Sequence, residues 1–198
     1  VEYRDMIDTL YLDSGAYSAA TGRAKVSVYE YRSYLKLYGY LFDEYFNLDD
    51  DFDDPDHNQW NQQFIEDDLP KGAKKLVPVV HDDFGPFEEL CKYADQKYKF
   101  IALGSSTILS RDFYKKVKKK YPKIRLHVFG RLNWKELTEN MPYSADAKTW
   151  LDTAATGSIL YWDPDTNERH TVDMGAKVKN GQAGNLFKTF EKREKLEQ

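Results

Sequence analysis

Hydrophobic residues in this chain gather in short runs of strand length, and each run breaks at a polar residue or a glycine. Leu10-Tyr11-Leu12 stops at Asp13-Ser14-Gly15, Glu44-Tyr45-Phe46-Asn47-Leu48 at Asp49, and Leu76-Val77-Pro78-Val79-Val80 at His81. Phe100-Ile101-Ala102-Leu103 stops at Gly104, Arg125-Leu126-His127-Val128-Phe129 at Gly130, and Tyr143-Ser144-Ala145 at Asp146. After Gly15 the chain loosens into Ala19-Ala20-Thr21-Gly22. Between the runs the period changes to that of a helix. Ser27-Val28-Tyr29-Glu30 has the spacing of a capping box, and Tyr31, Leu35, Tyr38 and Leu41 follow as an apolar stripe. Further helices are predicted around 59–67 and from Gly85-Pro86 through Tyr93. Two more run from a Ser110 cap to before Pro122 and from Asn133-Trp134-Lys135-Glu136 to Pro142.

Strand and helix in alternation imply a parallel sheet with helices outside it. In a parallel βα barrel the C-terminal strand ends converge on one face, where barrel enzymes keep their chemistry. Here those ends carry Asp13, Asp49, His81, Gly104, Gly130 and Asp146. A complete eight-stranded barrel takes ~250 residues. The fold expected for 198 residues is therefore a TIM-type βα barrel, reduced or incomplete, in a single domain with its core over about 9–150. Over 151–198 the pattern changes. Ser158 to Trp162, a turn at Pro164-Asp165-Thr166-Asn167, and Arg169 to Val172 predict a β-hairpin, with a charged helix near Leu186 to Leu196.

Composition narrows the field. Hydrophobic residues make up 41% and aromatic residues 15%, which places the chain among globular proteins. The net charge of −4 excludes a broadly basic nucleic-acid binder, but charge is uneven: Asp49 to Asp56 is acidic and Lys115 to Lys123 basic. Lys116, Lys119 and Lys120 could contact phosphates, or could form an ordinary solvated helix face. The acidic loop could hold a divalent ion, yet it lacks EF-hand register, and it reads as solvated with Asp49 alone turned inward. The lone Cys91 excludes an internal disulfide and a cysteine-based zinc cluster, and it reads as part of a packed helix face with no basic neighbour. No run approaches the ~18 apolar residues of a membrane helix, and no signal-peptide pattern is seen, so a cytoplasmic location without membrane contact is expected.

The motifs resemble a family. Asp13-Ser14-Gly15-Ala16-Tyr17 resembles the Asp-Ser-Gly-Gly-Phe motif of tRNA-guanine transglycosylases. With Leu12 and Ser18 it is closer to their short phage and prokaryotic relatives, which include phage DNA-guanine transglycosylases that exchange guanine for a 7-deazaguanine. The likeness continues in order through Asn47-Leu48-Asp49, Val77-Pro78-Val79-Val80-His81, Ile101-Ala102-Leu103-Gly104, His127-Val128-Phe129-Gly130 and Tyr143 to Trp150. The resemblance implies Asp13 as a catalytic aspartate beside the base and Asp146 as the nucleophile. The family's paired aspartates stand three apart, and here the later position is Thr149. It also implies a base pocket: Tyr17 stacks on the purine, Asp49 reads the guanine edge, and His81 stands where the tRNA enzymes place a glutamine. Gly104 presents backbone, Gly130 allows close approach, and Ser14, Gly15 and Phe129 complete the pocket. The zinc site of the tRNA enzymes has no counterpart, so no cofactor or metal is implied. Dimers are common in the family, which makes a homodimer the implied assembly, and a phage-borne chain would work in its host's cytoplasm.

The chemistry, read without the family, asks for the same groups. Base exchange at a sugar with retention needs one carboxylate to trap the anomeric carbon and an acid/base to handle the leaving nitrogen. Guanine needs an acceptor for its ring and amino N–H groups and a donor for its oxygen, from His81 or the Gly104 amide. The base must also leave its stack and lie against a ring. For each carboxylate a turn or helix cap is the competing role. Three functions are therefore open: base exchange in a nucleic acid, DNA in preference to tRNA; an N-glycosidic hydrolase or transferase on a free nucleoside or nucleotide; and a non-catalytic purine-binding or accessory barrel.

Overall fold

The structure is a computed structural model that describes residues 6–23, 25–81, 85–104, 111–130, 134–147, 154–155, 157–163, 166 and 168–173. The chain divides into two compact units, 1–129 with 139–145 and 130–138 with 146–198.

In the first unit six short strands run parallel: β1 (Tyr11–Leu12), β2 (Glu44–Tyr45), β3 (Val79–Val80), β4 (Phe100–Leu103), β5 (Arg125–Val128) and β6 (Ser144–Ala145). A single parallel bridge, Phe46 to Val77, joins the β1–β2 pair to the β3–β6 sheet. Strand order thus follows chain order without reversal. The chain is mixed α/β with a parallel sheet. The run 76–80 is paired for less of its length than its hydrophobicity predicts, because Pro78 has no N–H to give, although its carbonyl accepts from Ala102 at 2.8 Å.

Apolar residues alternate between two faces, as a pleated strand requires. On the outer face Tyr45, Leu48 and Leu76 pack with Tyr31 and Leu35 of α2 (Val28–Tyr38) and Ile65 of α3 (Pro55–Glu66). Val80, Ile101, Leu103, Leu126 and Val128 pack with Leu90 and Tyr93 of α4 (Pro86–Asp95) and Phe113, Tyr114 and Val117 of α5 (Arg111–Lys120). On the inner face lie Phe46, Val77, Val79, Phe100 and Ala102, flanked by Tyr11 and Phe129.

Side chains on the inner face bring the first and last strands near each other. Four strand spacings separate β1 from β5, about 19 Å if the sheet were flat. The Tyr11 and His127 rings nevertheless sit 6.1 Å apart, and Tyr11 hydrogen-bonds Ser144 of β6. Glu44 of β2 takes a hydrogen bond from the Arg125 guanidinium of β5 at 2.9 Å, and that guanidinium lies over Phe100 and Tyr143. Side chains of the first two strands therefore meet those of the last two across a filled interior.

The predicted capping box forms at Ser27 and Glu30. One helix appears where the sequence reading has none, and another begins earlier than expected. A helix α1 (Ala16–Ala20) starts where a loosened chain is expected, because Gly15 takes a left-handed turn at φ 79° and the Asp13 and Ser14 side chains accept the Gly15 and Ala16 amides. Helix α3 opens inside the acidic run, with Asp54 accepting the His57 amide as N-cap and Pro55 in the first turn. Helix α6 is Trp134–Asn140; its proposed cap Asn133, and Ser110 before α5, lie outside the described residues. In the second unit β7 (Ser158–Asp163) and β8 (Glu168–Asp173) form the predicted antiparallel hairpin, while the expected helix near 186–196 and Thr149 fall outside the described residues.

Candidate functional site

The loops after β1, β2 and β3 leave the same end of the parallel strands and place Asp13, Asp49 and His81 there. Asp49 and His81 are both buried, 6% exposed each, and His81 Nε2 and Asp49 Oδ2 are 2.7 Å apart. Burial pushes the Asp49 carboxyl upward in pKa, His81 opposes this by hydrogen bond and charge, and the negative charge of Asp13 adds to the rise. Asp13 is exposed at the rim and makes the turn-capping bond to Gly15 at 3.2 Å, so it caps the turn and faces the mouth together. Its charge reaches Tyr31, Asp49 and His127.

His81 is fixed from several sides. The Phe52 ring packs on it at 4.8 Å. Gly104 supplies the space for it: a Cβ at that position would meet His81 Nδ1 at 2.6 Å and Cε1 at 2.9 Å. The Gly104 amide donates to the Val80 carbonyl at 2.8 Å, so it is spent in the sheet, and the expectation that it serves as a donor to a base oxygen is corrected. Gly104 is a glycine to admit an imidazole. From behind, Glu89 of α4 accepts the His81 backbone amide at 3.2 Å. Glu89 is 7% exposed, and burial raises its carboxyl to about 6, against the opposing pull of the His81 amide and charge and of Lys92.

Buried amides on α3 hold the Asp49 loop in place. Asn61 donates to the Leu48 carbonyl and to Asp50 Oδ1, both at 2.9 Å, and His57 Nε2 lies 3.0 Å from the same Asp50 oxygen. Asn47 donates to the Asn58 carbonyl at 2.9 Å. The acidic run is therefore less solvated than its composition implies: Asp50 is engaged and Asp54 caps a helix. Tyr31 of α2 donates to the Phe46 carbonyl at 2.7 Å, tying α2 to the strand that leads to Asp49.

Below the mouth, His127 is 4% exposed, ringed by Phe46 at 4.9 Å and Phe129 at 4.6 Å, with Nδ1 2.9 Å from Ser144 Oγ. Burial lowers its pKa to about 4, although Asp13 pulls the other way, so it is a neutral imidazole at pH 7.

The structure thus brings Asp13, Asp49, His81, Gly104 and Phe129 to one unit, with Ser14 buried and Gly15 half-buried beside Asp13. Tyr17 is 51% exposed on α1. Gly130 and Asp146 belong to the second unit, where Asp146 Oδ1 accepts the Gly130 amide at 2.7 Å and Gly130 adopts φ 65°. Lys116, Lys119 and Lys120 are exposed on α5, whose C-terminal turn leads into the start of β5, the opposite end of the strands from the carboxylates. Lys120 is moreover occupied, its Nζ 3.2 Å from Cys91 Sγ and over the Phe87 and Tyr121 rings. Cys91 therefore has the basic neighbour that the sequence reading denies it.

Sequence reasoning does not single out Glu89 or His127, which the structure buries beside the site. Glu89 reads as an ordinary first-turn acid after Gly85-Pro86, and His127 as one member of a strand. The available signal for His127 was its place two residues before Phe129 on the face that alternation turns inward. Among the described residues no group of three or more His, Cys, Asp or Glu is placed to hold a metal ion, and no helix is long and apolar enough to cross a membrane. No family model, curated protein or solved structure matches the chain.

Proposed function

We propose that the chain is a guanine-transglycosylase-like enzyme on a reduced βα barrel, replacing guanine by a 7-deazaguanine in a nucleic acid, DNA in preference to tRNA. The observation that carries this reading is the buried Asp49–His81 pair at 2.7 Å, set at the C-terminal ends of strands whose order follows the chain. That order and the inward meeting of β1–β2 with β5–β6 support barrel winding.

In this reading guanine enters against Asp49. Its ring N–H and amino N–H donate to the ionised carboxylate, competing with His81, and the released imidazole Nε2–H turns to the exocyclic oxygen. Those N–H bonds favour the ionised form and offset the burial that raises the Asp49 pKa. The resemblance gives the attack on the anomeric carbon, which expels the base, to Asp146, and the proton delivered to the leaving nitrogen to Asp13. Asp13 then takes the proton of the incoming deazaguanine, whose nitrogen displaces Asp146 with overall retention.

A nucleoside-level transferase is the second reading, favoured by the placement of the α5 lysines away from the mouth. One experiment sorts the readings: thermal unfolding with guanine, 7-cyano-7-deazaguanine and adenine, then base exchange assayed on DNA, tRNA and guanosine. A stabilisation of ~2.7 kcal/mol at one hundredfold excess over Kd is expected for the two guanine-like bases and none for adenine. Asp13→Asn and Asp146→Asn should each abolish exchange while keeping the shift. Full exchange in both variants refutes the catalytic assignment, and base binding without turnover on any substrate makes the protein a purine-binding barrel.

A further inference from the structure

Two cations stand at the mouth with no carboxylate partner among the described residues. Arg23 and Lys25 lie between α1 and α2, shortly after the Asp13-Ser14-Gly15 turn. Arg23 is exposed, with its guanidinium carbon 5.8 Å from the centroid of the exposed Tyr17 ring. Lys25 lines an open cleft with Ala19, Val26, Ser27, Glu30 and Asp50, and Asp50 adjoins Asp49 of the buried pair. Among the described residues neither cation makes an ion pair. The reason lies in the acids around them: Glu30 is held by the Ser27 cap, and Asp50 by His57 and Asn61. Several other cations are engaged, Arg32 and Lys36 with Asp68, Arg125 with Glu44, and Lys120 with Cys91, while the exposed Lys116 and Lys119 of α5 lie at the opposite end of the strands.

A polyanion approaching Asp13, Asp49 and Asp50 on a chain of net charge −4 meets repulsion unless cations at the rim offset it. Cations already neutralised by neighbours cannot do so; unpaired ones can. An arginine beside an exposed aromatic ring adds the usual platform for single-stranded nucleic acid, with a base on the ring and a phosphate on the guanidinium.

We propose that Arg23 and Lys25 hold the phosphodiester backbone of a polynucleotide across the mouth, beside a base stacked on Tyr17. The proposal rests on reading the mouth as a guanine-exchange site and narrows its substrate from nucleoside to polymer. It also moves the phosphate contacts from the α5 lysines to the rim.

The test is the salt dependence of binding to a short fluorescein-labelled oligodeoxynucleotide, with a tRNA titrated in parallel, using the unaltered chain, R23Q/K25Q and K116Q/K119Q. Each lost phosphate contact lowers the slope of log affinity against log salt by about 0.7 on a single strand, so R23Q/K25Q should lower it by about 1.4 and K116Q/K119Q leave it unchanged. The guanine thermal shift, measured on the same samples, reports an intact fold and base pocket. An unchanged slope in R23Q/K25Q, a fall in K116Q/K119Q instead, or no binding of either polymer by the unaltered chain overturns the proposal. A slope that falls as expected while no variant shows a guanine shift supports the phosphate contact and removes the exchange reading.

Discussion

Replacing Gly104 by alanine tests the core of the site with one methyl group. The added Cβ would stand 2.6 Å from His81 Nδ1 and 2.9 Å from Cε1, where ordinary contact begins at 3.4 Å. The imidazole must therefore retreat by about 0.8 Å, enough to carry its bond with Asp49 from 2.7 Å toward the ~3.5 Å at which hydrogen bonding lapses. A hydrogen bond to a charged group contributes about 1.5–3 kcal/mol, and overpacking costs about 1–3 kcal/mol. Gly104→Ala should thus lose about 2.5–6 kcal/mol of stability, together with most of the guanine-induced thermal shift. The decisive assay is a double-mutant cycle by urea denaturation with His81→Ala. Once the ring is gone the nearest atom to the new methyl is the Val80 carbonyl oxygen at 3.3 Å, so most of the cost should vanish. If Gly104→Ala costs the same in both backgrounds, His81 does not fill the space that the glycine leaves, and the account of the site is wrong.

Two buried groups set opposing pH dependences, and single variants separate them. His127 has its pKa lowered from 6.5 to about 4, so the stability that it contributes is full above pH 6.5 and is lost as pH falls toward 4. At 1.36 kcal/mol per unit the loss is about 3 kcal/mol, and His127→Asn should flatten the acid side of the urea-stability curve by that amount. Glu89 has its pKa raised from 4.5 to about 6, so its protonation adds about 2 kcal/mol as pH falls through that window. Glu89→Gln should therefore fall behind the unaltered chain between pH 6 and pH 4.5, and parallel curves would contradict the burial of the charge. Tyr31→Phe removes the donor to the buried Phe46 carbonyl and should cost about 1–3 kcal/mol in urea denaturation, with a wild-type stability excluding the bond.

Much of the architecture was written in local pattern. The stops at Asp13, Asp49, His81 and Gly104 located strand ends because a buried strand tolerates a polar residue only where it leaves the sheet. The hairpin at 158–173 and the Ser27 cap were legible for the same reason, since each depends on neighbours a few residues away. What stayed hidden depends on groups far apart in the chain. Gly104 reads as a free backbone donor until Val80 is seen to take its amide. Glu89 reads as a surface acid until the sheet buries it against His81. Lys116, Lys119 and Lys120 read equally as phosphate contacts or as a solvated helix face until α5 is placed, when its basic end falls away from the carboxylates. The alternation of Arg125, His127 and Phe129 hinted at an inward face, but not that Tyr11 and Glu44 would meet it from the other side.

That meeting has a consequence for the timing of synthesis. Glu44 and Arg125 are 81 residues apart in sequence, and bringing the ends of such a loop together costs about 4 kcal/mol of chain entropy. A ribosome adding ~5–20 residues per second will have exposed β1 and β2 for several seconds before β5 emerges to cover them. During that interval Tyr11 and Phe46 have each other and then Phe100 but lack the cover of His127 and Phe129, so the nascent amino-terminal segment is a natural client for a chaperone, and a stop placed before Arg125 would leave an aggregation-prone fragment.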